Sequence, residues 1–146
     1  MATISQLETG IFVASQLNAD DFAVIAARGF RSVVNNRPDG EAEDQIASAD
    51  AQAEAQAQGL VYRHVPVANY DVTEDEIVNA QARAIAELPG PVLFYCRTGN
   101  RSTLLWAQAA VARLGLDQVD AIATRAGYDL DVLREILDER LAELAA

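Results

Sequence analysis

Short apolar runs alternate along this chain with longer stretches typical of helices. Four runs rich in β-branched and aromatic residues predict strands: residues 10–15, 32–36, 61–67 and 91–95. The stretches between and after these runs predict helices at residues 18–29, 42–59, 73–88, 102–115, 117–127 and 129–144. Alternating strands and helices favour an α/β fold. We therefore predict one three-layer domain over residues 1–146, with a mainly parallel sheet of about four strands and helices on both faces.

Two of the predicted helices have informative sequences. Residues 42–59 are low in complexity, but they are built from good helix formers, so we predict an exposed helix that covers one face of the sheet. The next helix carries a capping-box pattern, with Thr73 followed three residues later by Glu76. We expect that helix to begin at Thr73 and to end near Leu88.

The last predicted strand, PVLFY at residues 91–95, is continuously apolar, as a central strand covered on both faces would be. The only cysteine of the chain, Cys96, follows it directly. In open parallel sheets, ligands bind at the carboxyl ends of the strands. The sequence therefore places Cys96 at the edge where a binding site is expected.

The turn after Cys96 has the residues of an anion-binding loop, and we call residues 96–101 the anion loop. Successive backbone N–H groups and the N-terminus of the following helix can hold an anion and stabilise a cysteine thiolate. Gly99 and Asn100 tolerate the backbone conformations that such a turn needs, and Arg101 can offer a planar pair of donors to an oxyanion. Ser102 can cap the helix or point its hydroxyl at the thiolate. The competing interpretation is that Cys96 is a small buried hydrophobic residue.

Composition narrows the choice of ligand. The chain has 146 residues and a net charge of −11, which excludes a general affinity for nucleic acid or anionic membranes. Arg97 and Arg101 make a local positive spot that suits a small anion. One cysteine permits no internal disulfide, and we predict neither a metal nor a cofactor. The first ten residues resemble no secretory signal, so we expect a cytoplasmic protein.

The segment YCRTGNRSTLLWA resembles the signature of the bacterial beta-lactamase-hydrolase-like phosphatase-like family. Weaker similarities lie in IFVASQL, GFRSVVNNRPDGE, VPV and RAGYDL, so the resemblance covers the whole chain. It implies the fold of tyrosine and dual-specificity phosphatases. It also makes Cys96 the nucleophile and Arg101 the anion-binding arginine. It further implies that the anion is bound by the loop residues Arg97, Thr98, Gly99 and Asn100.

The loop departs from the phosphatase pattern in its length. Phosphatases of this fold have five residues between cysteine and arginine, whereas four separate Cys96 from Arg101. Rhodanese-type sulfurtransferases use a shorter loop of this length, whose smaller ring of N–H groups suits a cysteine persulfide. Some members of the family are labelled sulfurtransferases. Ser102 favours the phosphatases, in which a hydroxyl after the arginine stabilises the departing thiolate.

A general acid would favour phosphoryl transfer. Asp71 lies on the predicted loop before the third predicted helix and is our candidate, whereas Asp75 belongs to the first turn of that helix, where carboxylates are common. A solvated loop residue is the alternative for Asp71. We predict a structural role for His64, the only histidine, and we expect Arg37 to brace the turn after the second predicted strand.

Three hypotheses follow. The first is a cysteine-dependent phosphatase-like hydrolase acting on a small phosphate ester. The second is a persulfide sulfurtransferase, which takes sulfane sulfur from a donor and passes it to an external thiol. The third is an anion-binding or partner-docking module without turnover.

Overall fold

The structure is a computed structural model that describes residues 2–145, and their side chains as far as residue 143. Five strands form one sheet in the order β1–β2–β5–β3–β4. The strands are β1 (Ile4–Glu8), β2 (Ile11–Ala14), β3 (Ser32–Asn35), β4 (Val61–His64) and β5 (Val92–Tyr95). Every neighbouring pair is parallel except β1 and β2, so the predicted mainly parallel sheet is confirmed.

The strand that the sequence analysis missed is β1, which pairs antiparallel with β2 at one edge of the sheet. Its sequence, ISQLE, contains two adjacent polar residues and buries only Leu7 fully. Most of its stability as a strand comes from its contacts with β2, and these contacts are not visible in the apolar pattern of a short segment.

Within residues 2–145, six α-helices cover the two faces of the sheet. They are α1 (Asp21–Ala27), α2 (Ser48–Ala57), α3 (Asp75–Glu87), α4 (Asn100–Leu114), α5 (Leu116–Arg125) and α6 (Arg134–Ala145). Helices α1 and α2 pack on one face, and α3 to α6 contribute to the core on the other. No helix among the described residues is both long and apolar enough to cross a membrane.

The central position of β5 explains its continuous apolar sequence. Val92 and Phe94 belong to the core under α3 to α6, whereas Leu93 and Tyr95 belong to the core under α1 and α2. Because successive side chains of a strand point to opposite faces, both sets must be apolar. The three layers predicted from the sequence are therefore confirmed at this strand.

The expected start of α3 is wrong. The chain first forms a short 3₁₀ turn at Asn69–Asp71, and α3 begins only at Asp75 with Glu74 as its N-cap. No side chain caps this helix, so Thr73 and Glu76 form no capping box. The 3₁₀ turn leads the backbone into α3 instead, and the N–H of Glu74 donates to the carbonyl of Asp71.

Candidate active site

The anion loop lies between the end of β5 and the start of α4, as the sequence predicts. Cys96 follows β5 and is 1% exposed, and α4 begins at Asn100, two residues before its predicted start. Gly99 has a φ of +90°, and its N–H donates to the Sγ of Cys96 over 3.1 Å. This hydrogen bond and the N-terminus of α4 both favour negative charge on the sulfur.

Tyr128 holds the anion loop from the connection between α5 and α6. Its hydroxyl donates to the carbonyl of Thr98 over 3.1 Å. A Cβ added to Gly99 would overlap this hydroxyl, so Gly99 is required both by its positive φ and by the close approach of Tyr128. Burial raises the pKa of Tyr128, and the neighbouring Cys96 raises it further.

The Arg101 side chain is buried and fixed by two partners. Its Nη1 and Nη2 donate to the two carboxylate oxygens of Glu41 over 2.8 and 2.9 Å, and Nη1 also donates to the carbonyl of Val67 over 2.9 Å. A guanidinium group has five N–H donors in one plane. The donors left over are the Nε–H and one Nη2–H, which lie side by side on the same edge. Arg101 therefore keeps one two-donor edge for an anion while Glu41 takes the other.

Glu41 carries the negative charge of this arrangement. Its Oε1 also accepts from the Nε of Arg37 over 2.9 Å. The hydrogen bonds from Arg101 and Arg37 lower the pKa of Glu41 to about 2. The pairing with Glu41, followed by the charge of Cys96, raises the pKa of Arg101. Both groups are therefore ionised at neutral pH.

Ser102 does not contact the sulfur in this structure. Its hydroxyl donates to the Oδ1 of Asn36 over 2.8 Å. Asn36 in turn exchanges hydrogen bonds with Gln81 and donates to the carbonyl of Val65, all within the buried interior. Within residues 2–145 no hydrogen bond joins Ser102 to Cys96, and Ser102 does not cap α4, whose N-cap is Gly99.

The two candidate acids differ in their surroundings. Asp71 ends the 3₁₀ turn and is exposed. This turn follows closely on Val67, whose carbonyl binds Arg101, so Asp71 lies on the segment next to the anion loop. Asp75 instead forms an ion pair with Arg140 over 3.0 Å. Asp75 therefore has a structural partner on α6.

The other predicted residues of the anion loop lie on its outer side. Arg97, Thr98 and Asn100 are exposed and border a groove of about 600 Å³ next to Tyr128.

The Nε2 of His64 is 2.9 Å from the carbonyl of Arg37, so His64 supports the turn after β3, in line with its predicted structural role. Arg37 does more than brace this turn, because its side chain reaches Glu41 and Gln16.

Three residues of the site were not predicted from the sequence: Glu41, Asn36 and Tyr128. Glu41 stands four residues after Arg37 in RPDGE, a spacing that suits an ion pair, but its contact with Arg101 spans 60 positions. Asn36 stands at the carboxyl end of a predicted strand, where polar residues often face a site. Tyr128 lies in RAGYDL, one of the segments that carry the family resemblance.

The structure is an α/β domain with a cysteine–arginine loop at the carboxyl edge of a mainly parallel sheet. The family model described as "Beta-lactamase hydrolase-like protein, phosphatase-like domain" matches residues 4–113, and the chain belongs to this family. A beta-lactamase hydrolase-like protein of Xylella fastidiosa (strain Temecula1) is 39% identical over 129 residues. That match covers 87% of this chain, which spans only 30% of the length of that relative.

Solved structures agree with this assignment. The crystal structure of a candidate phosphatase from Neisseria meningitidis Z2491 is 33% identical, with a TM-score of 0.83 over 94% of this chain and 97% of that one. A Cys-to-Ser variant of P. aeruginosa TpbA in complex with pTyr has a TM-score of 0.60 and 18% identity, over 97% of this chain and 90% of that one. The predicted family and the predicted tyrosine-phosphatase-like fold are confirmed.

Proposed function

We propose that this domain is a cysteine-dependent phosphatase in which Cys96 is the nucleophile. The observation that carries the proposal is the orientation of Arg101. Glu41 and the carbonyl of Val67 occupy three of its donors, so that one two-donor edge is left for an oxyanion. The hydrogen bond from Gly99 to the sulfur supports a thiolate beside that edge.

In the proposed reaction the Cys96 thiolate attacks phosphorus. An S–P bond forms, the ester O–P bond breaks, and the leaving oxygen takes a proton from Asp71. Water then attacks the thiophosphate, the S–P bond breaks, and phosphate and the thiolate are released. Arg97, Arg101 and the N–H groups of the loop hold the non-bridging oxygens throughout.

The substrate that we propose is a small phosphorylated compound, and an aryl phosphate is the first to test. TpbA, which shares the fold, binds pTyr. The exposed position of Asp71 suits an acid that approaches the leaving group from the solvent side of the loop. No cofactor takes part in these steps.

Ser102 is proposed to stabilise the departing thiolate. Its hydroxyl now donates to Asn36, so this role requires a rotation of the hydroxyl toward Cys96. If the rotation occurs, Ser102→Ala should slow the hydrolysis of the thiophosphate and let it accumulate, and this intermediate can be measured by mass spectrometry after rapid quenching. An unchanged level of intermediate would remove Ser102 from the mechanism.

A persulfide sulfurtransferase is the second candidate, because only four residues separate Cys96 from Arg101. In that reaction the thiolate attacks the outer sulfur of thiosulfate, an S–S bond forms and sulfite leaves. An acceptor such as cyanide or an external thiol then removes the sulfur. The acceptor thiol must be external, because the chain has one cysteine.

One preparation of the protein should be assayed for both activities, with Cys96→Ser as the control. We expect hydrolysis of an aryl phosphate, abolished in Cys96→Ser, to exceed thiosulfate-to-cyanide transfer. A faster sulfur transfer would reverse the order of the two candidates. If neither activity appears while phosphate still protects Cys96 from alkylation, the domain binds anions without turnover.

A further inference from the structure

Glu41 lies between two buried arginines, and we call Arg37, Glu41 and Arg101 the charge triad. The Oε1 of Glu41 accepts from the Nε of Arg37 and from the Nη2 of Arg101, each over 2.9 Å. Both arginine side chains are 6% exposed, and that of Glu41 is 28% exposed. The two arginine charges are therefore largely withdrawn from water and weakly screened by salt, whereas the Glu41 carboxylate stays partly exposed.

Arg97 and the proposed Cys96 thiolate carry opposite charges, so the net charge of the triad decides how strongly the anion loop attracts a ligand. Arg101 and Glu41 alone form a pair without net charge. Arg37 brings the sum to +1. The chain as a whole carries −11, so an anion approaches against a repulsive background and depends on this local charge.

The hydrogen bonds of Arg37 keep its charge close to the loop. Because one oxygen of Glu41 accepts from both arginines, the Nε of Arg37 and the Nη2 of Arg101 are at most about 6 Å apart. On its other side, the Nη1 of Arg37 donates to the side chain of Gln16 over 3.0 Å. The backbone N–H of Gln16 donates to the carbonyl of Arg97. Arg37 is thus connected to both ends of the anion loop.

We propose that Arg37 is a positioning residue that offsets the charge of Glu41. Glu41 can then orient Arg101 without cancelling the attraction of the loop for a dianion such as a phosphate monoester. This inference rests on the anion-binding role that the proposed function gives to the loop. The competing explanation is that Arg37 only braces the turn after β3.

The test varies the charge of the triad and measures the binding of inorganic phosphate. Phosphate affinity is read from the protection of Cys96 against iodoacetamide, at low ionic strength, in the full chain. The variants are Arg37→Gln, Glu41→Gln and the double variant. They give the triad charges of 0, +2 and +1, compared with +1 in the wild type.

If charge is the role of Arg37, phosphate affinity should follow these values. Arg37→Gln should weaken phosphate binding about tenfold, Glu41→Gln should strengthen it, and the double variant should return to within about threefold of the wild type. Turnover of an aryl phosphate should nevertheless fall in both variants that lack Glu41, because Arg101 has lost its partner. Arg31→Gln is the matched control, since it removes an exposed arginine at the opposite end of β3.

If Arg37 only braced the turn after β3, the phosphate affinities of the variants would follow a different order. The double variant would then bind phosphate no better than Arg37→Gln, and this result would overturn the proposal. If Arg37→Gln does not fold, Arg37→Lys replaces it. Because lysine keeps the charge, a folded Arg37→Lys that loses affinity tenfold would also overturn the proposal. A wild type that binds phosphate without turning over any substrate would contradict the proposed function and leave the inference on Arg37 standing.

Discussion

Replacing Gly99 by alanine tests how the anion loop is held. Gly99 has a φ of +90°, which alanine adopts only at a cost, and an added Cβ would overlap the Tyr128 hydroxyl. The same Cβ would come within 3.0 Å of the ring carbon Cζ of Tyr128 and 3.3 Å of the carbonyl oxygen of Ala14. The side chain of Tyr128 must therefore move away from the loop.

Three terms contribute to the expected loss of stability. The positive φ costs about 1 kcal/mol or somewhat more. Displacing Tyr128 breaks its hydrogen bond to Thr98, which costs about 1 kcal/mol. Residual crowding adds about 1 kcal/mol. We therefore expect Gly99→Ala to lower the free energy of unfolding by about 3 kcal/mol.

A double variant separates these terms. Tyr128→Phe alone should cost about 1 kcal/mol, since it loses only the hydrogen bond. In Gly99→Ala/Tyr128→Phe the crowding is largely relieved, so the total should be about 2 kcal/mol, less than for Gly99→Ala alone. Gly29→Ala is the matched control, because Gly29 has a φ of +96° and open space around it. It ends α1 in a turn in which the N–H of Phe30 donates to the carbonyl of Ile25, and its replacement should cost about 1 kcal/mol.

Urea unfolding followed by circular dichroism measures all four variants. The second substitution, Tyr128→Phe, is destabilising by itself but should restore stability to Gly99→Ala. If the two losses simply add, Tyr128 does not pack against Gly99 as described. If Gly99→Ala loses no more stability than Gly29→Ala, the overlap with the hydroxyl is absent in solution.

Three further predictions concern the charged groups. Arg101→Lys keeps a positive charge but loses the two-donor edge, so it should reduce kcat/KM far more than Arg97→Lys; equal losses would indicate only a diffuse potential. Asp71→Asn should slow hydrolysis of alkyl phosphates about 10²- to 10⁴-fold and barely affect nitrophenyl phosphate. If its rates depend on the leaving group as those of the wild type do, Asp71 is not the acid. Because the folded-state pKa of Glu41 is lowered to about 2, its contribution to stability is complete above pH 4.5 and is lost as the pH falls toward 2. Urea titrations over that range should therefore show a shallower acid loss in Glu41→Gln than in the wild type.

The parts of the fold that were predicted from the sequence are those set by local pattern. β5 is buried on both faces, so its apolar run is continuous and the position of Cys96 at its end follows directly. β1 was missed because its stability depends on pairing with β2, and its own sequence has a single fully buried residue. The start of α3 was misplaced because a 3₁₀ turn, rather than the side chain of Thr73, leads into the helix.

The charge distribution of the site could not be predicted from local sequence patterns, because its charged residues come from distant parts of the chain. The sequence suggests that Arg97 and Arg101 together make the positive spot. In the structure Arg101 is paired with Glu41, which lies 60 positions away. A positive site therefore depends on Arg37, which belongs to the same RPDGE segment as Glu41. This segment brings to the loop both the carboxylate that orients Arg101 and the guanidinium that compensates it. Replacing Arg37 alone should therefore weaken anion binding, and replacing Glu41 with it should restore that binding.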